Sequence, residues 1–506
     1  MKVCWWILLT LVPVCLPSVL SGAEPDNKPN IVLILADDVS TDMFSCYGQP
    51  GAARTPNIDR IAGEGVQFRT CFAPAICAPS RALLMTGVYG NRTGVFRNDM
   101  WAFGSRGTLF TRQHSWAKLM QKAGYKTAVA GKWHCGAKEP WQPEVGFDEY
   151  CLWEGPDKIK SDFGIDVIGS GQRKDIKLPD VRYWYPSIVR NGKYVEVTES
   201  DFGPDIRCEF LMDFMERKTK AKQPFVAYWP TVIPHGPYST TPEAGKPMDI
   251  VLKKPDTSSM SKVQKAKALA DYRRGQQERF VNLNEYMDKL IGKLINKAEK
   301  LGIYENTWFV FCSDNGTAVT AKDRGVERGV HVPYVVKGPG VKRRGLTEEL
   351  TDFADIAPTL LDIAGIDLPK DVTFDGKSQV PFLTGKTDTH RDWIYAYTGP
   401  VQVLRTKAYL LEARSPFYGK PKGRFYFTGA NRFGRGYLRV DNHSDHAVQL
   451  AKFAEIINSL PSHLVGDHPF WTSKRGKKWL AKNDRNALAK KQLYNHPDYA
   501  FYDEKD

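Results

Sequence analysis

The sequence lacks several features that would place it in a familiar class at once. Beyond the first 20 residues, no apolar run approaches the roughly 20 residues that a membrane-spanning helix needs. No His-Glu pair occurs, which excludes the His-Glu-x-x-His helix of zinc proteases. Gly376-Lys377-Ser378 has Asp371 where a phosphate-binding P-loop needs a glycine, so nucleotide binding through such a loop is excluded as well.

The N-terminus carries the longest hydrophobic stretch. An apolar run over 3–20 follows a lysine and leads into the small residues 21–23. This order predicts a signal peptide over 1–23 and a secreted, periplasmic or otherwise extracytoplasmic protein. An uncleaved membrane anchor is the alternative, but two prolines inside the run argue against a long helix, so we expect no stable membrane span. Export permits disulfides, and Cys135 with Cys151 is the pair that we consider.

The charge balance is positive. Lys and Arg number 71 and Asp and Glu 57, which gives a net charge of +14, with basic runs at 342–344, 420–424 and 474–478. A solvated surface is one explanation. The other is a polyanionic substrate, because a positive field raises its rate of encounter. Nucleic acid is not an expected partner, since no binding module is visible and the chain is predicted to be exported.

Four short apolar runs predict strands that are buried on both faces of a parallel sheet. Helical stretches alternate with them, among them 280–301 and 351–364. This alternation predicts an α/β fold with a doubly wound, mostly parallel sheet flanked by helices. Ligands bind at the carboxyl ends of strands in such sheets, so the residues that follow the runs are expected to share one site. The runs are 30–35, followed by Asp37-Asp38; 124–130, followed by Lys132 and His134; 225–229, followed by His235; and 308–312, followed by Asp314-Asn315.

The sequence changes character after about residue 386. Short runs joined by tight turns predict a small antiparallel sheet with one helix after it. The predicted strands are 393–397, 401–405, 408–412 and 424–427, and the predicted helix is 447–457. We therefore divide the chain into a signal peptide over 1–23, a main domain over 24–385 and a C-terminal subdomain over 386–506.

The stretch from Ala75 to Gly87 is expected to be a loop that becomes a helix. Pro79 suits a first helical turn, and Gly87 suits a helix end. We place Cys77 just outside the N-terminus of this helix, where backbone N–H groups and the helix dipole favour negative charge. Arg81 lies four residues further on. A sulfur nucleophile, an anion-binding turn and a buried structural cysteine are all compatible with this pattern.

The segment Cys77-Ala78-Pro79-Ser80-Arg81, followed by a short helix and Thr86-Gly87, resembles the signature of the type I sulfatases of the alkaline-phosphatase-like superfamily. The segment 124–134 is similar to a second signature of that family. The resemblance covers about 29–430. It implies that a formylglycine-generating or equivalent maturing enzyme converts Cys77 to Cα-formylglycine during export, and that the hydrated aldehyde is the nucleophile.

By position, the resemblance also implies a divalent metal and a set of cationic side chains around the sulfate. The metal would be one Ca²⁺, with Mg²⁺ as the alternative. Its implied ligands are Asp37, Asp38, Asp314, Asn315 and the modified Cys77. Arg81 would orient the formylglycine hydrate, and the implied sulfate-contacting residues are Lys132, His134, His235 and Lys322.

Such a set suits cleavage of a sulfate ester at sulfur, which needs a nucleophile, neutralised sulfuryl oxygens and a proton for the leaving oxygen. We assign neutralisation to the metal with Arg81, Lys132 and Lys322, and proton donation to His235, aided by Lys322. His134 would accept the proton whose loss releases the sulfate. We expect repulsion among the cations to lower the pKa of the lysines and histidines, opposed by the carboxylates and the bound anion.

Three positions depart from the family pattern. Ser40 stands where a glycine commonly follows the aspartate pair, and Arg328 and His331 replace the usual glycine and arginine after Glu327. We place these residues near the pocket rim or behind the metal. They are expected to bear on substrate preference more than on the reaction.

The prediction is therefore a secreted sulfatase that acts on a sulfated carbohydrate, with a small aryl sulfate as the second choice of substrate. A phosphonate or phosphodiester hydrolase of the same superfamily is one alternative, and the segment 131–134 favours sulfate over it. A non-catalytic protein that binds sulfated glycans is another. The complete set of nucleophile, metal ligands and cations argues against that reading.

Overall fold

The computed structural model describes most of the chain from residue 28 onward. The described residues are 28–98, 109–112, 114–135, 139–165, 182–244, 252, 254–318, 320–429, 436–460, 474, 477–478, 481 and 485–493. The predicted signal peptide over 1–23 lies outside them. Within these ranges, no helix combines the length and the apolar character needed to cross a lipid bilayer.

Strands and helices alternate through the first two thirds of the chain. The strands are β1 (Asn30–Ala36), β2 (Val66–Phe72), β3 (Lys126–Gly131), β4 (Glu149–Trp153), β5 (Ile188–Arg190), β6 (Lys193–Tyr194), β7 (Phe225–Pro230), β8 (Thr307–Ser313), β9 (His331–Lys337), β10 (Gly345–Asp352), β11 (Trp393–Thr398), β12 (Val401–Thr406), β13 (Tyr409–Arg414), β14 (Arg424–Phe427) and β15 (Leu438–Arg439). The α-helices are α1 (Pro56–Glu64), α2 (Cys77–Thr86), α3 (Gly90–Thr93), α4 (Leu109–Arg112), α5 (Trp116–Lys122), α6 (Pro156–Phe163), α7 (Gly203–Lys220), α8 (Lys262–Lys300), α9 (Glu327–Val330), α10 (Ile356–Ile363), α11 (Val380–Leu383), α12 (Ala447–Ser459) and α13 (Arg485–Leu493).

The larger sheet joins ten of these strands in the order β10-β2-β9-β8-β1-β7-β3-β4-β5-β6. The strands β8, β1, β7 and β3 are adjacent and parallel to one another. They are the four strands predicted from the sequence, and they form the centre of the sheet. The antiparallel pairs made by β9 and β5 make the sheet mixed, but most of its pairs are parallel. Because β8, β1, β7 and β3 run in the same direction, their carboxyl ends meet at one edge of the sheet.

Apolar side chains cover both faces of the central strands. Ile31 and Leu33 of β1 pack on one face with side chains of α2, α5 and α10. Val32 and Ile34 point to the other face, where they pack with α1, α7 and α8. Alternate residues of one strand are thus buried under different helices. This arrangement confirms the doubly wound α/β fold.

The strands β11 to β15 form a second, antiparallel sheet of five strands. One of its faces, which includes Ile394 and Val403, packs on Phe72, Ala75 and Val330 of the larger unit. Ala75 lies two residues before Cys77, so this sheet supports the chain that leads into α2. The smaller antiparallel sheet is confirmed, whereas the division of the chain at residues 385 and 386 stays a prediction.

Two helices begin at different residues from those predicted, and one predicted disulfide is not formed. The predicted helix over 351–364 begins only at Ile356, because β10 continues to Asp352 in register with β2. The helix predicted over 280–301 starts at Lys262, after Ser261, whose side chain caps it reciprocally with Gln264. The disulfide considered between Cys135 and Cys151 is wrong, since both are buried free thiols.

Candidate active site

Cys77 is the first residue of α2, with Ile76 as its N-cap, so the prediction that it lies outside the helix is wrong by one position. The side chain is almost fully buried. Its Sγ lies 3.6 Å from Oδ1 of Asp37 and 3.7 Å from Oδ1 of Asp38. The amide of Ala78 in the first turn of α2 donates to Oδ1 of Asn98. The start of the helix is therefore directed at the acidic residues that follow β1.

The acidic residues that follow β1 and those that follow β8 are in direct contact. The backbone N–H of Asp37 donates to the carbonyl of Ile233 in the turn after β7. Asp38 has a φ of 68°, a left-handed conformation that Asp tolerates better than most residues. Its N–H donates to Oδ1 of Asp314 over 3.1 Å, and Nδ2 of Asn315 donates to its Oδ1 over 2.8 Å. Neighbouring parallel strands thus bring residues 37–38 and 314–315 together.

Arg81 lies beneath this cluster and is completely buried. Its Nε and Nη2 donate to Oδ2 of Asp314 over 3.1 and 2.8 Å, and its Nη1 donates to the carbonyl of Lys132 over 2.7 Å. Nη2 also lies 3.5 Å from Oδ2 of Asp37. One guanidinium therefore links the exits of β1, β3 and β8.

Two lysines face the acidic pair. Nζ of Lys132 donates to Oδ2 of Asp37 over 2.8 Å. Nζ of Lys322, from the loop after β8, donates to Oδ2 of Asp38 over the same distance. Each aspartate thus has its own ammonium partner, although the two lysines lie 190 residues apart in the sequence.

His235 joins the cluster from the exit of β7. Its Nε2 lies 3.3 Å from Nζ of Lys322 and 3.5 Å from Oδ2 of Asp38. His134 lies at the exit of β3, two residues after Lys132, and is partly buried with a φ of 53°. The structure therefore joins the predicted site residues in one connected cluster, which contains Asp37, Asp38, Cys77, Arg81, Lys132, His235, Asp314, Asn315 and Lys322. His134 follows Lys132 by two positions in the sequence.

Burial and charge act in opposite directions on the buried carboxyl groups. Burial raises the pKa of Asp37, but the charges of Lys132 and His235 outweigh it and hold this pKa well below its usual value. The pKa of Asp314 is raised to about 6, because burial and repulsion by Asp37 together outweigh the attraction of Arg81.

The pKa values of the basic groups shift in opposite directions. Burial lowers the pKa of His235 to about 4, and repulsion by Lys132 adds to that effect. Burial also lowers the pKa of Lys322, but Cys77 and Asp38 outweigh it and raise this pKa above its usual value. For His235 the expected direction is found, but burial contributes more to it than the expected repulsion among cations. For Lys322 the expectation is wrong, because its carboxylate partner is closer than the other cations.

The residues present fit a hard divalent cation. Asp37, Asp38, Cys77 and His235 each offer one ligand atom, and these atoms lie within 4.8 Å of one another. Oδ1 of Asn315 is buried and accepts no hydrogen bond. A buried carbonyl oxygen without a partner is costly, and a cation would satisfy it. Carboxylate and amide oxygens are the ligands that Ca²⁺ and Mg²⁺ prefer.

A family model described as Sulfatase matches residues 29–366. This chain belongs to the Sulfatase family. The matched range contains the exits of β1, β3, β7 and β8 as well as α2, so the whole cluster lies inside it. The protein is accordingly a sulfuric ester hydrolase.

Two curated relatives are similar over most of their length. N-acetylglucosamine-6-O-sulfatase of Bacteroides thetaiotaomicron is 27% identical over 465 residues, which cover 76% of each chain. N-acetylgalactosamine-6-sulfatase of Canis lupus familiaris is 28% identical over 425 residues, which cover 78% of this chain and 72% of the relative.

Solved structures share the fold of this sulfatase. BT4656, in complex with its substrate D-glucosamine-2-N,6-O-disulfate, superposes with a TM-score of 0.62 at 22% identity. The alignment covers 91% of this chain and 99% of that one. At this identity the likeness supports the fold alone.

Sequence reasoning missed one residue of the sulfatase site. Arg182 donates from Nη1 to the carbonyl of Gly236 over 2.8 Å, and the same atom contacts Nδ1 of His235. Its guanidinium lies over the ring of Trp153, 4.7 Å from the centroid. No motif marks Arg182, because it belongs to an irregular stretch whose role depends on where β7 ends.

The three departures from the family pattern have different surroundings. Ser40 connects the two acid-bearing turns, since its Oγ accepts from the N–H of Thr317 over 2.9 Å. Arg328 donates to Asp42 over 3.0 Å, and Nε2 of His331 lies 2.7 Å from a carbonyl of β2. Ser40 therefore links the turn after β1 directly to the turn after β8.

Proposed function

We propose that this sulfatase hydrolyses a sulfate ester on a sulfated carbohydrate, with Cys77 converted to Cα-formylglycine and one Ca²⁺ beside it. The observation that carries the proposal is the position of the Cys77 Sγ at the start of α2, between 3.6 and 3.7 Å from the carboxylates of Asp37 and Asp38. A nucleophile at this point would have acids on one side, for a cation, and lysines around it, for a sulfate.

Similar proteins and charge support the substrate class. The two curated relatives are named for 6-sulfates of N-acetylated amino sugars. The net charge of +14 favours encounter with a chain that bears many sulfates.

The chemistry of the donors supports the modification. Cys77 offers a soft sulfur atom among carboxylate and amide oxygens, whereas a hard cation prefers oxygen. An oxygen-bearing group at position 77 would match the other ligands, Asp37, Asp38, Asp314 and Asn315. When present, the formylglycine hydrate supplies the oxygen nucleophile, and the cation neutralises charge on the sulfuryl oxygens.

The side chains of this sulfatase would do the remaining work. Arg81 orients the group at position 77 through its fixed position under the cluster. Lys132 and Lys322 neutralise the sulfuryl oxygens, and their long stems allow the ammonium groups to turn from the carboxylates to the sulfate. When the bond between sulfur and the ester oxygen breaks, His235 with Lys322 protonates the leaving alcohol oxygen, and Lys322 is the member of this pair that holds the proton, because the pKa of His235 is low. His134 accepts the proton whose loss frees the sulfate.

We extend the proposal to the compartment and to the domains. The predicted signal peptide over 1–23 would direct the chain out of the cytoplasm, and a maturing enzyme would act on Cys77 during export. The main domain over 24–385 would carry the whole cluster. The subdomain over 386–506 would support it from one side.

The test combines mass spectrometry with a substrate panel. The chain is produced with a formylglycine-generating enzyme, and the peptide that contains Cys77 is expected to carry an aldehyde. Sulfated mono- and oligosaccharides, nitrophenyl sulfate and a nitrophenyl phosphonate ester are then compared. Cys77→Ala should lose desulfation, whereas Cys46→Ala, at a partly buried cysteine outside the cluster, should keep it.

Each result separates the candidate functions. Release of sulfate from a sugar by the aldehyde form supports the proposal. Faster turnover of the phosphonate ester would instead identify a phosphonate hydrolase. A Cys77 peptide that remains a thiol, together with no desulfation, would contradict the proposed reaction.

A further inference from the structure

The C-terminal helix α13 (Arg485–Leu493) packs against the loop that carries Lys322. Gln492 of this helix is completely buried, although it is polar and belongs to a basic segment near the end of the chain. A buried amide needs partners for its N–H and carbonyl groups. The partners of Gln492 come from the loop 322–325 and from the second sheet.

Gln492 has specific contacts on each side. Its Nε2 donates to Oδ1 of Asp323 over 3.0 Å, and its Oε1 accepts from the hydroxyl of Tyr418 over 2.8 Å. Its backbone carbonyl accepts from the N–H of Gly325 over 2.8 Å. Gly399 has a φ of 54°, and a Cβ at that position would come within 2.6 Å of Nε2. A glycine at 399 thus leaves room for the amide.

The conformation of Asp323 explains why this contact matters. Asp323 has a φ of 63°, and its N–H donates to the carbonyl of Ala75, two residues before Cys77. Its side chain points to α13, while the preceding side chain, Lys322, reaches Asp38 over 2.8 Å. The two neighbouring side chains therefore face opposite ways, and the carboxylate of Asp323 anchors the turn between them.

We propose that Gln492 is a positioning residue for the sulfatase reaction. By holding Asp323 and Gly325, it fixes the loop that places the ammonium group of Lys322 beside the sulfate. This inference rests on the proposed function only through the role given there to Lys322. A shift of about 1 Å in such a group can lower the rate by about a hundredfold.

The test replaces the hydrogen-bond donor of Gln492 by an acceptor and then restores a donor on residue 323. Gln492→Glu sets a carboxylate against Asp323, and we expect kcat/KM to fall by about 10- to 100-fold. The double variant Asp323→Asn with Gln492→Glu restores one donor and one acceptor, and it should recover activity to within about threefold. Lys491→Met is the matched control. Its ammonium also contacts Asp323 but is largely exposed, so a change below about twofold is expected.

A second pair of measurements separates positioning from folding. In a Lys322→Ala background, Gln492→Glu should cause no further loss of activity, because both changes act on the same group. Hydrogen–deuterium exchange should rise in a peptide over 320–330 of the Gln492→Glu variant and stay unchanged in one over 30–36. Gln492→Met, which is similar in size and apolar, provides the same readout if the glutamate variant folds poorly.

The proposal is overturned if both Gln492 variants keep full activity and slow exchange over 320–330. A loss of equal size in the Lys322→Ala background would also overturn it. A fully active Lys322→Ala enzyme would instead contradict the role of Lys322 in the proposed function. That failure is visible before Gln492 is changed.

Discussion

Two clusters of buried charge lie near the two ends of α2, and they are built differently. The first surrounds Cys77 at the start of the helix. The second follows its C-terminal end, where Nη1 of Arg391 lies 2.8 Å from Asp352 and 3.1 Å from Asp355. Tyr89 donates to Asp352 over 2.7 Å, and Nε2 of His390 lies 2.9 Å from Asp355. The clusters in the described chain can be compared by what their carboxylates bind.

The second cluster is tied to the backbone. Asp352 accepts from the N–H groups of Ala354 and Tyr395 over 3.0 and 3.1 Å. Asp355 accepts from the N–H of Lys377 over 2.9 Å. These contacts cannot open without moving β10, β11 and the chain between them. This cluster therefore holds the fold together.

In the first cluster, the two carboxylates beside Cys77 are held by side chains. Among the described residues, the carboxylates of Asp37 and Asp38 have only side-chain partners, which include Lys132 and Lys322. A long lysine stem can turn away when a cation takes over the carboxylate, and no secondary structure needs to break. The comparison indicates that backbone-anchored charge serves stability and that charge met by flexible cations serves exchange with ligands.

The sharpest test of this difference replaces one carboxylate in each cluster. Asp38→Asn should lower kcat/KM by about 10²- to 10³-fold, the size found when one preorganised electrostatic group is lost. In the absence of divalent metal its stability should change little, because asparagine also tolerates the left-handed backbone at this position. Asp355→Asn should lower the free energy of unfolding by about 3 kcal/mol, because it leaves a buried arginine short of a partner. Kinetics and denaturant unfolding of both variants check this, and a reversal of the two effects would contradict the comparison.

Removal of divalent metal should have the next largest effect. A cation present at about 100 times its Kd stabilises the folded state by about 2.7 kcal/mol. Treatment with EDTA is therefore expected to lower both activity and the unfolding midpoint of the wild type and of Asp355→Asn, and Ca²⁺ should restore them. The midpoint of Asp38→Asn should shift less. An unchanged wild-type midpoint would argue against a bound cation.

Acid should remove the stabilising effect of Asp355 in the second cluster between about pH 3.8 and pH 2. Burial raises the pKa of Asp355, but Arg391 and His390 outweigh it and hold the pKa at about 2, below the ordinary value of 3.8. A lowered carboxyl pKa contributes stability above about 3.8, and this contribution is lost as the pH falls through about 2. The wild type should therefore lose more stability than Asp355→Asn over this interval. Unfolding curves at pH 4 and pH 2 measure it, and parallel losses would contradict the assignment.

The smallest effect is expected at Ser40, which connects the two acid-bearing turns. Ser40→Ala removes the hydroxyl that accepts from Thr317 and should lower the free energy of unfolding by about 1 kcal/mol. Ser40→Gly should lower it by a further 0.5 to 1 kcal/mol, roughly, because glycine gains freedom in the unfolded chain. Activity should stay within about threefold. A larger loss of activity than of stability would place Ser40 among the residues that act on the ligand.

The sequence predicted the parts of this site that depend on strand order alone. Buried apolar runs followed by polar residues identified four neighbouring strands, and their exits include Asp37 and Asp314. The strands β2, β9 and β10 escaped prediction because their pairing is set by partners far away in the chain. The predicted helix over 351–364 began too early for the same reason. The local helix propensity of residues 351–352 is overridden because the distant strand β2 forms hydrogen bonds with them.

Other residues of the site could not be found from local patterns. Arg182 contacts His235, and Gln492 contacts the neighbours of Lys322, yet each belongs to a stretch whose sequence shows no periodicity or motif. Their roles exist only because the chain folds back over long distances, from residue 492 to residue 323 for example. The signature around Cys77 was visible because its residues are adjacent in sequence.

The burial of Cys77 has a consequence for how the protein must be made. Its side chain is 1% exposed at the start of α2 and lies against the carboxylates of Asp37 and Asp38. No second enzyme could reach the sulfur once these residues have assembled. On the proposed function, oxidation has to come first, so protein refolded from unmodified inclusion bodies would have a native shape and yet remain inert, whatever oxidising partner is added later.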